Sequence, residues 1–164
     1  LDLLTAIDKK NLKVVLDVWE NEPAINIELL EKVLISTPHI AGYSYEGRVN
    51  GTKIIYESLC EFLGEEKTFA FSSAVPQNSI KCFNKMETLE VELDKLVSSI
   101  YSIKDDDQRM RKMQIMNQTE INLEFDLQRK NYPIRREFCN YSVQLNQKIE
   151  IIQEILTKLR FNVS

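Results

Sequence analysis

Along the first 63 residues of the chain, some segments have apolar residues at helical spacing and others are runs of β-branched and apolar residues. Helical spacing and β-branched runs predict four elements in turn: a helix over 2–10, a buried strand over 12–18, a short helix over 27–33 and a strand over 34–37. Asn26 is the expected N-cap of the second helix, and Pro38 ends the second strand. Helices and strands in this order are typical of a parallel sheet in an α/β fold.

The pattern changes after His39. A long helix is predicted over 44–63, with an apolar stripe and Gly64 as its C-terminal stop. Later periodicity predicts further elements: helices over 89–100, 120–131 and 147–159, and strands over 141–145 and 161–163. We therefore expect residues 1–65 to form one domain, 66–79 a linker, and 80–164 a small α+β module.

Composition removes several classes of function. The chain has only four glycines, Gly42, Gly47, Gly51 and Gly64, and they form neither a G-x-G-x-x-G turn nor a P-loop. A net charge of −4 argues against nucleic-acid partners, and no apolar run is long enough for a membrane span. Three widely spaced cysteines without a C-x-x-C pair indicate reduced thiols in the cytoplasm.

Two local patterns in the sequence lead to further predictions. The first residues resemble the middle of a helix with no N-cap before it, which predicts that the chain begins inside a larger protein. Asp105, Asp106 and Asp107 are consecutive, so they cannot share one helix face as metal ligands do. We expect a solvated helix start there and no metal site.

The single histidine provides the candidate chemistry. His39 follows the second predicted strand, and Glu22 lies just beyond the end of the first. The carboxyl ends of parallel strands form the edge where α/β sheets bind ligands. A carboxylate beside an imidazole fixes its tautomer and raises its pKa, which suits proton exchange with a hydroxyl group. Spacing alone leaves open the alternative of a solvated loop glutamate and a turn histidine.

Two linked motifs resemble those of a known protein family. Residues 15–23 (VLDVWENEP) and 36–42 (STPHIAG) together resemble the C-terminal part of the D-isomer-specific 2-hydroxyacid dehydrogenases. Residues 125–132 (FDLQRKNY) and 135–138 (RREF) are similar to a subgroup with an additional C-terminal dimerisation module. The resemblance covers most of the chain and is weakest over 65–104.

The resemblance implies a fold and an activity. The fold would be the C-terminal part of a Rossmann-type NAD-binding domain followed by a small α+β dimerisation module. The activity would be NAD-dependent oxidation of 4-phospho-D-erythronate to 2-oxo-3-hydroxy-4-phosphobutanoate, on a bacterial route to pyridoxal phosphate, by a homodimer. By similarity, roles fall on five residues: His39 as acid and base, Glu22 as its orienting carboxylate, Asp17 and Gly42 at the cofactor, and Tyr43 at the substrate.

Other assignments have alternatives. The family's glycine-rich NAD loop and carboxylate-binding arginine lie upstream of the matched motifs, so we expect this chain alone to be inactive. Arg135 and Arg136 are candidate ligands of the substrate phosphate, or else belong to a solvated face that pairs with Glu137 and Asp126. Tyr43 is alternatively a packing aromatic. The whole protein is alternatively a phosphoglycerate or glyoxylate type dehydrogenase, or a non-catalytic dimerisation module.

Overall fold

A computed structural model describes residues 2–70, 78–81, 88–145 and 150–164. The chain mixes helices and strands, as expected for an α/β-like fold. The helices are α1 (Leu3–Lys10), α2 (Ile27–Lys32), α3 (Tyr45–Leu63), α4 (Leu89–Ile100), α5 (Ile103–Arg111), α6 (Gln118–Lys130) and α7 (Glu150–Lys158). The strands are β1 (Val15–Leu16), β2 (Ile35–Ser36), β3 (Asn78–Lys81), β4 (Tyr141–Gln144) and β5 (Asn162–Val163).

The chain forms two compact units, and each is built from two segments. Unit 1 consists of Leu1–Ala41 and Ser98–Pro133, and unit 2 consists of Gly42–Val97 and Ile134–Ser164. The linear division predicted from the sequence, at 66–79, stays a prediction. Residues 71–77 of that linker lie outside the described residues.

Unit 1 contains the parallel strand pair that the sequence predicts. Val15 pairs with Ile35 and Leu16 with Ser36, and α5 packs against β2. One apolar core joins both segments of the unit: Ile7, Trp19, Ile25, Leu29, Leu30, Val33, Met110, Met113, Ile121 and Phe125. The strand that was predicted as buried over 12–18 is shorter and half exposed. Val14 and Leu16 pack against the core, so the alternation of a strand leaves Val15 on the opposite face.

The helix ends of unit 1 follow local capping chemistry. Asn26 caps α2 by accepting a hydrogen bond from the Leu29 amide at 3.1 Å, which confirms that prediction. The expectation that the first helix lacks an N-cap was wrong. The carboxylate of Asp2 accepts a hydrogen bond from the Thr5 amide at 2.7 Å and caps α1.

The expectation of a solvated helix start at residues 105–107 was wrong for Asp106. Ser102 is the N-cap of α5, and the Asp106 side chain is only 1% exposed. Tyr101 and Tyr132 donate their hydroxyl groups to this carboxylate at 2.7 and 2.8 Å, and Arg109 pairs with it. These donors compensate the cost of removing a carboxylate from water.

Unit 2 contains a second parallel sheet, in the order β3-β4-β5, against which α7 packs through β5. Helix α3 begins and ends as predicted: Ser44 caps its first turn, and Gly64 ends it with a left-handed φ of 72°. The predicted apolar stripe of α3 is not a core face within the described residues. Its members are more than half exposed: Ile54, Ile55, Leu59, Phe62 and Leu63.

Candidate active site

Glu22 and His39 lie together beyond the carboxyl ends of β1 and β2. Glu22 Oε2 is 2.7 Å from His39 Nδ1, and Glu22 Oε1 accepts the backbone N–H of Trp19 at 2.8 Å. The second contact fixes the carboxylate, because both of its oxygens are engaged. The His39 side chain is 42% exposed, whereas the Glu22 side chain is 17% exposed. The imidazole is therefore accessible while the group that orients it is mostly covered.

Trp19 ties the two strand ends to each other. Its indole is buried, and Nε1 donates to the backbone carbonyl of Thr37 at 2.9 Å. Trp19 thus connects the loop after β1, which carries Glu22, to the residue after β2, two positions before His39. No role was predicted for Trp19 from the sequence. The chain's only tryptophan, lying inside the first motif, was the available signal.

Asp17 organises the backbone on which His39 lies. Its Oδ1 accepts from the Thr37 hydroxyl at 2.6 Å and from the Ile40 amide at 2.8 Å, and its Oδ2 accepts from the Ala41 amide at 3.1 Å. His39 has a left-handed φ of 55°, which a residue with a side chain adopts rarely. The carboxylate therefore anchors both sides of a strained turn. Sequence reasoning placed Asp17 at the cofactor and missed this contact.

The geometry suits proton exchange at the second ring nitrogen. A carboxylate only accepts hydrogen bonds, so Nδ1 of His39 carries a proton toward Glu22, and Nε2 of the neutral ring is left as the acceptor. An imidazole held in this way can take a proton from a hydroxyl group and return it.

Gly42 and Tyr43 belong to unit 2, whereas Glu22 and His39 belong to unit 1. A Cβ atom built at Gly42 would meet no described atom within 4 Å. Tyr43 is half-buried, and the guanidinium of Arg48 lies 5.7 Å from its ring centroid. The roles of both residues stay predictions.

Arg136 is buried in unit 2 and forms an ion pair with Glu46, 90 residues earlier in the chain. It also donates to the Asn140 side chain at 2.9 Å, and its guanidinium lies 5.5 Å from the Tyr45 ring. These contacts favour the ion-pair alternative for Arg136, although with a partner that the sequence did not indicate. Arg135 is half-buried, and its carbonyl accepts the Tyr45 amide at 2.7 Å.

Two further kinds of site are absent from the described ranges. No helix in them combines the length and apolar character needed to cross a bilayer. No group of three or more His, Cys, Asp and Glu side chains there is arranged to hold a metal ion.

Sequence comparison decides the family. A family described as a domain of unknown function, DUF3410, matches residues 74–159, which is more than half of the chain. The chain belongs to the DUF3410 family. The matched range includes α5 and α6 of unit 1 together with much of unit 2.

Curated relatives match nearly all of the chain. Erythronate-4-phosphate dehydrogenase of Cellvibrio japonicus is 40% identical over 158 residues, which cover 93% of this chain and 42% of that protein. The enzyme of the same name from Proteus mirabilis is 41% identical over 143 residues, covering 86% and 37% respectively. The Escherichia coli enzyme is 40% identical over 166 residues, covering 98% and 41%. The resemblance to a dehydrogenase is confirmed, and the chain spans about two fifths of these relatives' length.

Proposed function

We propose that the protein containing this chain oxidises the 2-hydroxyl group of 4-phospho-D-erythronate with NAD, giving 2-oxo-3-hydroxy-4-phosphobutanoate for pyridoxal phosphate synthesis in the cytoplasm. The observation that carries the proposal is the hydrogen bond between Glu22 and His39, in a chain about 40% identical to curated erythronate-4-phosphate dehydrogenases. A non-catalytic module has no use for this oriented, accessible imidazole.

His39 performs the proton transfer. Nε2 accepts the proton of the substrate's 2-hydroxyl group while the hydrogen on C2 leaves with both bonding electrons, so the C–O bond becomes a carbonyl. Bound NAD supplies the acceptor for that hydride. Glu22 compensates the positive charge that develops on the imidazole and keeps Nδ1 protonated.

The residues of the turn are compatible with the cofactor. Asp17 Oδ2 accepts one described hydrogen bond, and a carboxylate oxygen has capacity for a second, from the nicotinamide carboxamide. Gly42 leaves open space where a side chain would stand. Tyr43 contacts the substrate, and Arg135 and Arg136 are the candidates for its phosphate. The ion pair with Glu46 already engages Arg136.

The fold assignment belongs to the same proposal. Residues 1–65 are the C-terminal part of a Rossmann-type NAD-binding domain, and residues 80–164 form the dimerisation domain of a homodimer. The parallel pairing of β1 with β2 supports the first assignment. The DUF3410 match lies almost entirely within 80–164 and supports a C-terminal family module, of which residues 98–133 pack with residues 1–41 in unit 1.

The test is substrate oxidation by the full-length protein, followed as NADH absorbance. We expect the highest kcat/KM with 4-phospho-D-erythronate and much lower values with 3-phosphoglycerate and glycolate. A preference for either of the latter would replace the proposed substrate with another 2-hydroxy acid. No oxidation of any of the three, by a folded dimer, would favour the non-catalytic module.

The 164-residue polypeptide serves as a second test. We expect it to show no NAD-dependent turnover, because the proposed active site also needs an arginine for the substrate carboxylate and a glycine-rich loop for NAD. Turnover by this polypeptide would show that its residues are sufficient for catalysis and would contradict the proposal as stated.

A further inference from the structure

A hydrogen-bonded contact joins β2 to a helix of the C-terminal segment. Ser36, the last residue of β2, is fully buried, and its amide and hydroxyl groups both donate to Asp107 Oδ1, at 2.8 and 2.7 Å. Asp107 lies on α5, 71 residues later in the chain and within the DUF3410 range. The carboxylate thus occupies the side of β2 that does not face β1.

Arg111 extends this contact to α2. Its Nε donates to the second oxygen of Asp107 at 2.8 Å. Its terminal nitrogens donate to the backbone carbonyls of Leu30 at 3.2 Å and Val33 at 3.0 Å. These carbonyls lie at the C-terminal end of α2, where helix carbonyls lack partners within the helix. One ion pair therefore fixes both the end of α2 and the end of β2.

The fixed segment carries the residues of the candidate active site. Helix α2 follows the loop of Glu22, and β2 leads through Thr37 to His39. Thr37 is tied to Asp17 and Trp19 on one side, while Ser36 is tied to Asp107 on the other. A shift of β2 relative to β1 would move His39 away from Glu22, and reaction rates respond steeply to such displacements.

We propose that Asp107 and Arg111 are positioning residues, through which the C-terminal segment keeps His39 in hydrogen-bond contact with Glu22. Their described hydrogen bonds are to each other and to residues of β2 and the end of α2, not to Glu22 or His39. The expected changes in kcat rest on the proposed function. The expected geometry does not, because it concerns only the distance between the side chains of Glu22 and His39.

The experiment compares Asp107→Ala with Asp105→Ala in the full-length protein. Asp105 is an exposed carboxylate on the same helix, so it controls for the loss of charge and of helix propensity. We expect Asp107→Ala to lower kcat roughly tenfold or more while KM for NAD changes less than about twofold. Asp105→Ala should leave both constants as in the wild type.

A spectroscopic readout separates positioning from general stability. The Nδ1 proton of His39, hydrogen-bonded to Glu22, should give a low-field proton NMR signal that is absent in His39→Asn. We expect Asp107→Ala to lose or shift this signal and Asp105→Ala to retain it. A folded Asp107→Ala protein with an unchanged signal and kcat, whatever its thermal stability, would overturn the proposal.

A second variant tests the same proposal if the Asp107→Ala protein does not fold. Ser36→Ala removes one of the two hydrogen bonds to Asp107 and should lower kcat about threefold, with a corresponding shift of the His39 signal. No change in either would overturn the proposal. If the wild-type protein does not oxidise 4-phospho-D-erythronate, the proposed function fails, whereas the NMR comparison still decides whether Asp107 positions His39.

Discussion

Glu22 Oε2 and His39 Nδ1 are 2.7 Å apart, although 17 residues separate them in the sequence. The contact depends on two parallel strands that end side by side, and on Trp19 and Asp17, which connect the two following loops. A pair formed in this way is a property of the folded strand ends rather than of either motif alone.

Glu22→Gln tests the chemical contribution of this pair in the full-length protein. Glutamine has one acceptor oxygen, whereas Glu22 accepts from both His39 Nδ1 and the Trp19 amide. The amide therefore loses one of these contacts and does not compensate a positive imidazole, so we expect kcat to fall roughly 10²-fold. Glu20→Gln, at an exposed position two residues earlier, is the matched control and should retain activity. Steady-state kinetics measure both. Equal activity of the two variants would contradict an orienting role for Glu22.

Two glycines of α3 should respond in opposite directions to alanine. A Cβ at Gly47 would lie 2.7 Å from both the Gly42 carbonyl and the Ser44 hydroxyl, whereas a Cβ at Gly51 would meet no described atom within 4 Å. We expect Gly51→Ala to raise the free energy of unfolding by about 0.5–1 kcal/mol and Gly47→Ala to lower it. Urea unfolding of both variants checks this, and a stable Gly47→Ala would contradict the close approach.

The buried pair of Arg136 and Glu46 should contribute strongly to stability. Arg136→Gln leaves a carboxylate that is 13% exposed without its partner, so we expect a loss of about 3 kcal/mol in the free energy of unfolding. Lys158→Gln breaks an exposed pair with Glu154 in the same unit and should change stability little. The double variant Glu46→Gln, Arg136→Gln should lose less than the sum of the two single losses. Additive losses would show that the pair is not coupled.

The free energy of unfolding should also decrease at acid pH, because the Asp107 carboxyl becomes protonated. Burial pulls the pKa of this carboxyl upward, but hydrogen bonds from Arg111 and Ser36 outweigh burial and hold the pKa below its ordinary value. A lowered pKa in the folded state means that the unfolded chain takes up the proton first as the pH falls. The stabilisation is therefore complete above the ordinary value of about 3.9 and is lost as the pH falls through the folded value.

The measurement is the difference in unfolding free energy between the wild type and Asp107→Asn. We expect this difference to be largest near neutral pH and to shrink steadily below about pH 4. Asp105→Asn, at an exposed position of the same helix, is the matched control. A difference that stayed constant down to strong acid would show that the ionised carboxyl does not stabilise the fold.

Local signals in the sequence were sufficient where the chemistry is local. Asn26 before α2, and Ser44 and Gly64 around α3, fix helix ends through contacts within a few residues, and the structure places those ends accordingly. The parallel pairing of β1 and β2 followed from the alternation of strand and helix. The pairing alone left the Glu22–His39 contact open, because it does not show how the two following loops are held.

Burial and distant partners were not predictable in the same way. Asp106 is buried because Tyr101, Tyr132 and Arg109 surround it, and periodicity along one helix does not show such donors. The same holds for Arg136, whose partner Glu46 is 90 residues away. Exposure of Ile54 or Phe62 depends on which surface α3 meets, and the spacing of an apolar stripe carries no information about that surface.

The left-handed backbone at His39 decides which substitutions can report on its imidazole. At a φ of 55°, a β-branched replacement would clash with its own backbone. A loss of activity in such a variant would then combine the loss of the imidazole with a distortion of the turn. Asparagine is among the few residues that tolerate this conformation. His39→Asn is therefore the variant that removes the ring nitrogens and leaves the turn intact, and conclusions drawn from valine or isoleucine at this position would concern the backbone rather than the proton.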